Sequence, residues 1–124
     1  MSKALVLCVD DDIANVTVRE LLLRHEGYET IVAHDGATAL REFANANIDL
    51  VILDYTLPDL NGAQVGHSMR ALKPNIPIVM LSGLTIRPAD VDGEIDAFLT
   101  KGGRTEELLD QMECLLSPNV EKRA

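Results

Sequence analysis

Six residues in this 124-residue chain have types and spacing that could carry phosphate or metal chemistry: Asp10, Asp11 and Asp12, then Asp54, Ser82 and Lys101. Each stands just past a short apolar run. The runs are Ala4–Val9, Ile48–Leu53, Ile76–Leu81 and Ile95–Leu99. If those runs are parallel strands, their ends point one way and the polar residues converge on one shallow site. Clustered carboxylates repel one another, by ~4 kcal/mol for two at 4 Å and an effective dielectric of 20. A cation relieves that cost. Hard oxygen ligands without neighbouring Cys or His favour Mg²⁺, which uses one or two carboxylates, keeps waters and accepts a phosphate oxygen. Beside such an ion Asp54 could act as a nucleophile and form an aspartyl phosphate. Ser82 and Lys101 could then donate to the phosphoryl oxygens, the lysine as a point charge.

Each residue also has a plainer role. Asp12, directly before Ile13, suits a helix N-cap. Asp54 could open the turn before Leu57-Pro58-Asp59, Ser82-Gly83 could start a loop, and Lys101 could be a solvated charge. Four strand ends bearing complementary groups argue for the joint functional reading. His25, His34 and His67 lack metal-ligand spacing, so solvated or partly buried roles are expected for them. Gly27, Gly36 and Gly62 fall at turns and helix boundaries, with no phosphate-binding glycine motif around them.

The elements that must position these residues follow from the apolar pattern. Of the four runs above and a fifth, Tyr28–Ala33, several are apolar without alternation, as in strands covered on both faces. Helical spacing lies between them. Ala14, Val18, Leu21, Leu22 and His25 predict one apolar face that stops at Gly27, and Ala37, Leu40 and Ala44 predict another. Val65, Met69 and Leu72 form a third, closed by Pro74 and Pro77, and Leu108, Met112, Leu115 and Leu116 a fourth. Pro88 and Gly93 leave room for only a short helix between the last two strands. Alternating strands and helices predict an α/β domain of the smaller doubly wound type, with its site at the carboxyl ends of the strands.

Composition narrows the classes. The length fits one domain. With aromatics at 3% and no Trp, the core must be aliphatic. A formal net charge of −9 argues against direct contact with nucleic acid or an anionic membrane. Cys8 and Cys114 read as small buried hydrophobes in a reducing compartment. No apolar run reaches the ~20 residues that span a bilayer, and the N-terminus lacks a signal-peptide pattern. Cytoplasmic localisation is expected.

The ordered pieces Val9-Asp10-Asp11, Leu53-Asp54-Tyr55-Thr56-Leu57-Pro58-Asp59-Leu60-Asn61-Gly62, Met80-Leu81-Ser82-Gly83 and Phe98-Leu99-Thr100-Lys101 resemble the receiver domain of bacterial two-component response regulators. The resemblance runs from residue 3 to about 116. It implies a flavodoxin-like, five-stranded parallel sheet of order 2-1-3-4-5 with helices on both faces, the fourth helix here short or irregular. A receiver domain over 1–116 and a tail over 117–124 are expected. It implies that Asp54 accepts phosphate from a sensor histidine kinase or a histidine phosphotransfer protein. Asp10, Asp11, Asp54 and the Thr56 backbone carbonyl would hold Mg²⁺, Asp11 directly and Asp10 through water. Ser82 would be the switch hydroxyl, Lys101 the family's lysine, and Phe98 the aromatic that swings inward. Such a protein is a switch that helps catalyse its own phosphorylation and dephosphorylation and turns over no separate substrate. Its downstream target would be a protein, with the chain itself a monomer or weak homodimer, stand-alone or excised.

The chain departs from the family at Gly102-Gly103, where proline usually follows the lysine, so a looser Lys101 is expected. Its Ser82-to-Lys101 stretch is also a few residues shorter than usual. Those departures favour an alternative, a phosphorylation-independent pseudo-receiver. A small phosphatase with an Asp nucleophile is a more distant alternative, since that class places a second Asp where Thr56 stands.

Overall fold

The sheet is built from β1 (Leu5–Val9), β2 (Glu29–Ala33), β3 (Leu50–Leu53), β4 (Ile78–Ser82) and β5 (Ala97–Thr100). All pairings are parallel and the order is β2-β1-β3-β4-β5, as the resemblance implied. Residues 4–116 are described by this computed structural model; the expected tail, 117–124, lies outside them. Every residue of β3 and β4 is buried, which is why their sequences show no alternation. The faces nevertheless alternate. Leu7, Val9, Val51, Leu53 and Met80 pack with Phe43, Val65 and Met69 on one side. Val6, Cys8, Leu50, Ile52 and Val79 pack with Val16, Leu23, Leu108 and Met112 on the other. The side chains packed there place α2 (Gly36–Asn45) and α3 (Gly62–Leu72) on the first face, and α1 (Ile13–His25) and α4 (Thr105–Leu116) on the second.

Local chemistry sets the helix ends. Asp12 caps α1 by accepting the Asn15 amide at 3.1 Å, and Gly27, at φ +98°, turns the chain out of it. Asp35 caps α2 through Thr38. Asn61 and Gln64 form a reciprocal capping box on α3. Pro74 follows the end of α3. The short fourth helix is reduced to a single 3-10 turn, Ala89–Val91, whose Val91 is buried. Among the described residues no helix is long and apolar enough to cross a membrane.

Four expectations need correction. On α1 the predicted stripe faces water: Val18 is 67% exposed and Leu21 66%, with Ala14 and His25 also exposed and Leu22 only half-buried. The buried stripe is Val16 and Leu23, with the half-buried charges Arg19 and Glu20 between them. Those charges are tolerated because both have partners: Arg19 reaches Asp10, and Glu20 accepts from Thr30 and Arg24. On α2 the core face is Gly36, Ala39 and Phe43 in place of Ala37 and Ala44, because Phe43 has the larger apolar surface to bury. Leu72, on the last turn of α3, is exposed. Cys114 is exposed as well, two residues past Met112 and so turned away from the Leu108 and Met112 face, whereas Cys8 is buried.

Candidate functional site

The strand ladders continue one residue past the sheet and thereby align the chemistry. Asp10 donates its amide to Ala33, Asp54 to Val9, and Lys101 to Ser82, at 3.0, 3.0 and 2.8 Å. Asp10 and Asp54 therefore stand side by side at the ends of β1 and β3, and Lys101 beside Ser82 across β4 and β5. Parallel neighbours lie about 4.8 Å apart, so functional groups on adjacent strands must meet.

They do. Lys101 Nζ lies 2.9 Å from Asp54 Oδ2 and 3.1 Å from Asp10 Oδ2, bridging the two carboxylates. Asp10 is completely buried and Asp54 nearly so, whereas Asp11 is at the exposed rim. One carboxylate oxygen from each of Asp10, Asp11 and Asp54 lies within 4.8 Å of the others. This donor set, all hard oxygen, fits a hard divalent cation. Ser82 is buried at the end of β4, and its Oγ accepts the Leu84 amide at 3.1 Å. Thr56 lies in the loop after Asp54, its amide donating to Asp54 Oδ1 at 3.3 Å and its backbone bridged to Asn61. Phe98 is outside the cluster: half-buried on β5, in register with Met80, it packs on the α3 face.

Electrostatics separate the two buried aspartates. Burial pushes the Asp10 carboxyl up, but the Asp12 amide, Lys101 and Arg19 together outweigh it and hold its pKa below the ordinary range. For Asp54 burial wins over the Lys101 ammonium, and the negative charge of Asp10 adds to it, so its pKa is raised. Burial disfavours the charged Lys101, yet its bonds to both carboxylates raise its pKa above that of a free lysine.

The loop carrying Asp54 into α3 is tightly fixed. A Cβ on Gly62 would lie 2.7 Å from the Tyr55 Cα and 2.8 Å from the Asp54 carbonyl oxygen, so no other side chain fits there unchanged. Asp59 accepts the Gly36 and Ala37 amides at 2.8 and 2.9 Å, which ties the loop to the start of α2. The Tyr55 hydroxyl donates to Asp90 of the 3-10 turn at 2.9 Å.

One residue at the site was missed from sequence. Arg19, its side chain only 10% exposed, places Nη1 3.3 Å from Asp10 Oδ2. It stands three residues after Val16 and four before Leu23, a charge in the middle of a core stripe that the predicted phase of α1 did not contain. His34 also borders the site, its Nδ1 3.1 Å from the Asp10 carbonyl oxygen.

The comparisons with known proteins agree with this fold. The family model for the response regulator receiver domain matches residues 6–113, and the chain belongs to that family. It is 38% identical over 117 residues to the response regulator MprA of Mycobacterium ulcerans, covering 90% of this chain and 49% of that protein. It is 33% identical to the sensory transduction protein RegX3 of Mycobacterium tuberculosis, over 90% and 50%. The chain thus spans about half the length of the curated relatives it matches. The TrrA response regulator of Thermotoga maritima, solved in complex with Mg²⁺–BeF, superposes with a TM-score of 0.87 at 31% identity, over 91% of this chain and 99% of that one. A CheY-like receiver protein from Methanospirillum hungatei gives 0.89 at 25% identity, over 98% and 99%.

Proposed function

We propose that the chain is a phosphorylation switch in which Asp54 takes a phosphoryl group from the phosphohistidine of a sensor histidine kinase or a histidine phosphotransfer protein. The observation that carries this reading is the Lys101 ammonium lying between the Asp54 and Asp10 carboxylates at 2.9 and 3.1 Å. Two carboxylates and an ammonium within one reach are what this reading needs.

Asp10, Asp11, Asp54 and the Thr56 carbonyl would hold Mg²⁺, which when bound neutralises charge developing on the phosphoryl oxygens. The Mg²⁺–BeF complex of the Thermotoga maritima relative supports that choice of ion. Asp54 forms the new O–P bond as the P–N bond to the donor imidazole breaks. Lys101 Nζ, donating to Asp54 Oδ2 at 2.9 Å, keeps the carboxylate oriented for attack. Lys101 then follows the charge from the carboxylates to a phosphoryl oxygen, and the Ser82 hydroxyl donates to another. Drawing Ser82 inward pulls on Leu84, whose amide it already holds, and Phe98 takes up the space released. The phosphoryl group adds about −1.5 to −2 charge, enough to bias a bistable surface. Residues 1–116 act as the switch unit in the cytoplasm, with a protein as downstream target.

Incubation with acetyl phosphate, with and without Mg²⁺, followed by intact mass, tests the proposal. The expected result is one labile, Mg²⁺-dependent phosphorylation that Asp54→Asn abolishes. A protein left unmodified would favour the pseudo-receiver, the reading that the abbreviated 3-10 turn supports.

A further inference from the structure

We propose that Arg19 is a resident counter-cation for Asp10 that competes with the divalent metal for that carboxylate and so weakens metal binding. The inference rests on Asp10, Asp11 and Asp54 being the metal-holding set. Asp10 is fully buried, and both of its oxygens are already engaged. Oδ1 accepts the Asp12 amide at 2.9 Å; Oδ2 accepts Lys101 at 3.1 Å and Arg19 at 3.3 Å. The two cations differ in freedom. Lys101 shares itself with Asp54 and can leave with a phosphoryl group. Arg19 bonds to Asp10 and is anchored by α1, in a core position between Val16 and Leu23.

Arginine stays charged under all ordinary conditions. A largely desolvated guanidinium is stabilised by a neighbouring carboxylate, and Arg19 and Asp10 offset each other's charge. A divalent ion drawing on Asp10 must therefore share it with a like charge at hydrogen-bond distance. There is space for the exchange. Arg19, Lys101 and Asn15 also line a cleft of about 280 Å³ between α1 and α4, into which the guanidinium can turn as the metal arrives.

Calorimetric titration of Mg²⁺ into the unphosphorylated full chain tests this. Arg19→Met keeps the apolar stem and removes the charge; it is expected to bind Mg²⁺ at least about fivefold more tightly than the native chain. Arg19→Lys, which keeps the charge, should stay within about twofold. In an Asp10→Asn background the Arg19→Met effect should fall below about twofold, because the carboxylate that couples them is gone. Should Arg19→Met fail to fold, the native chain still decides: the Arg19 Nε–H resonance should shift with Mg²⁺ and saturate at the calorimetric Kd. Equal or weaker Mg²⁺ binding by Arg19→Met, or an Arg19 resonance indifferent to Mg²⁺, overturns the proposal while leaving the metal site intact. If neither native chain nor variant binds Mg²⁺, the metal-holding reading itself fails and the proposal falls with it.

Discussion

Asp10 and Asp54 stand on adjacent strands with Lys101 between them, yet the surrounding groups push their carboxyls in opposite directions. The consequences for stability have opposite signs. Asp10, depressed in the folded state, contributes stability that is present above the ordinary carboxylate range. That contribution is lost as pH falls through its lowered folded value. Asp54, raised in the folded state, binds its proton more readily when folded. Its ionised form therefore costs stability at neutral pH, a cost that fades as pH drops through its raised folded value. Without metal, Asp54→Asn should therefore raise the midpoint of thermal unfolding at pH 7, and the gain should shrink in mildly acidic buffer. Melting curves across that range check it; a variant less stable than the native chain at neutral pH would show that the Lys101 pair outweighs burial.

At the scale of elements, the loop from β3 into α3 is fixed by one close approach. Gly62→Ala sets a methyl against backbone atoms of Tyr55 and Asp54 that cannot give way. A loss of about 1–3 kcal/mol is expected in urea unfolding, with slower phosphorylation because the same backbone carries Asp54. The facing of α1 is open to a paired test. Val16→Ala should cost roughly 1–2 kcal/mol and Val18→Ala less than about 0.5, since one valine is 1% and the other 67% exposed. Equal effects would contradict the observed facing. The strands were legible in sequence because burial on both faces leaves an uninterrupted aliphatic run, as in Leu50–Leu53. The acidic and basic site residues were legible because parallel strands end on one edge. The phase of α1 was not, because Ile13, Val18 and Leu21 are apolar residues that the fold leaves in water. Arg19 was hidden for the complementary reason, a charge whose burial depends on a partner nine residues away.

At the scale of the whole molecule, the fold gathers like charges at one edge and compensates them with only a few cations. A ligand that binds only this arrangement must stabilise all of it. Mg²⁺ at a hundredfold excess over its Kd should add about 2.7 kcal/mol to the unfolding free energy, and Asp11→Asn should remove most of that gain without disturbing the buried core. Thermal shift against Mg²⁺ concentration checks this, and a melting point indifferent to Mg²⁺ would remove the ion from the account. The central claim is narrower: one phosphoryl group, on Asp54. Its most direct test is to phosphorylate the chain with acetyl phosphate and Mg²⁺, reduce the acyl phosphate with borohydride and map the product by peptide mass spectrometry. Homoserine is expected at position 54 and nowhere else. Reduction at another aspartate, or none at all in a folded, Mg²⁺-loaded chain, would contradict it.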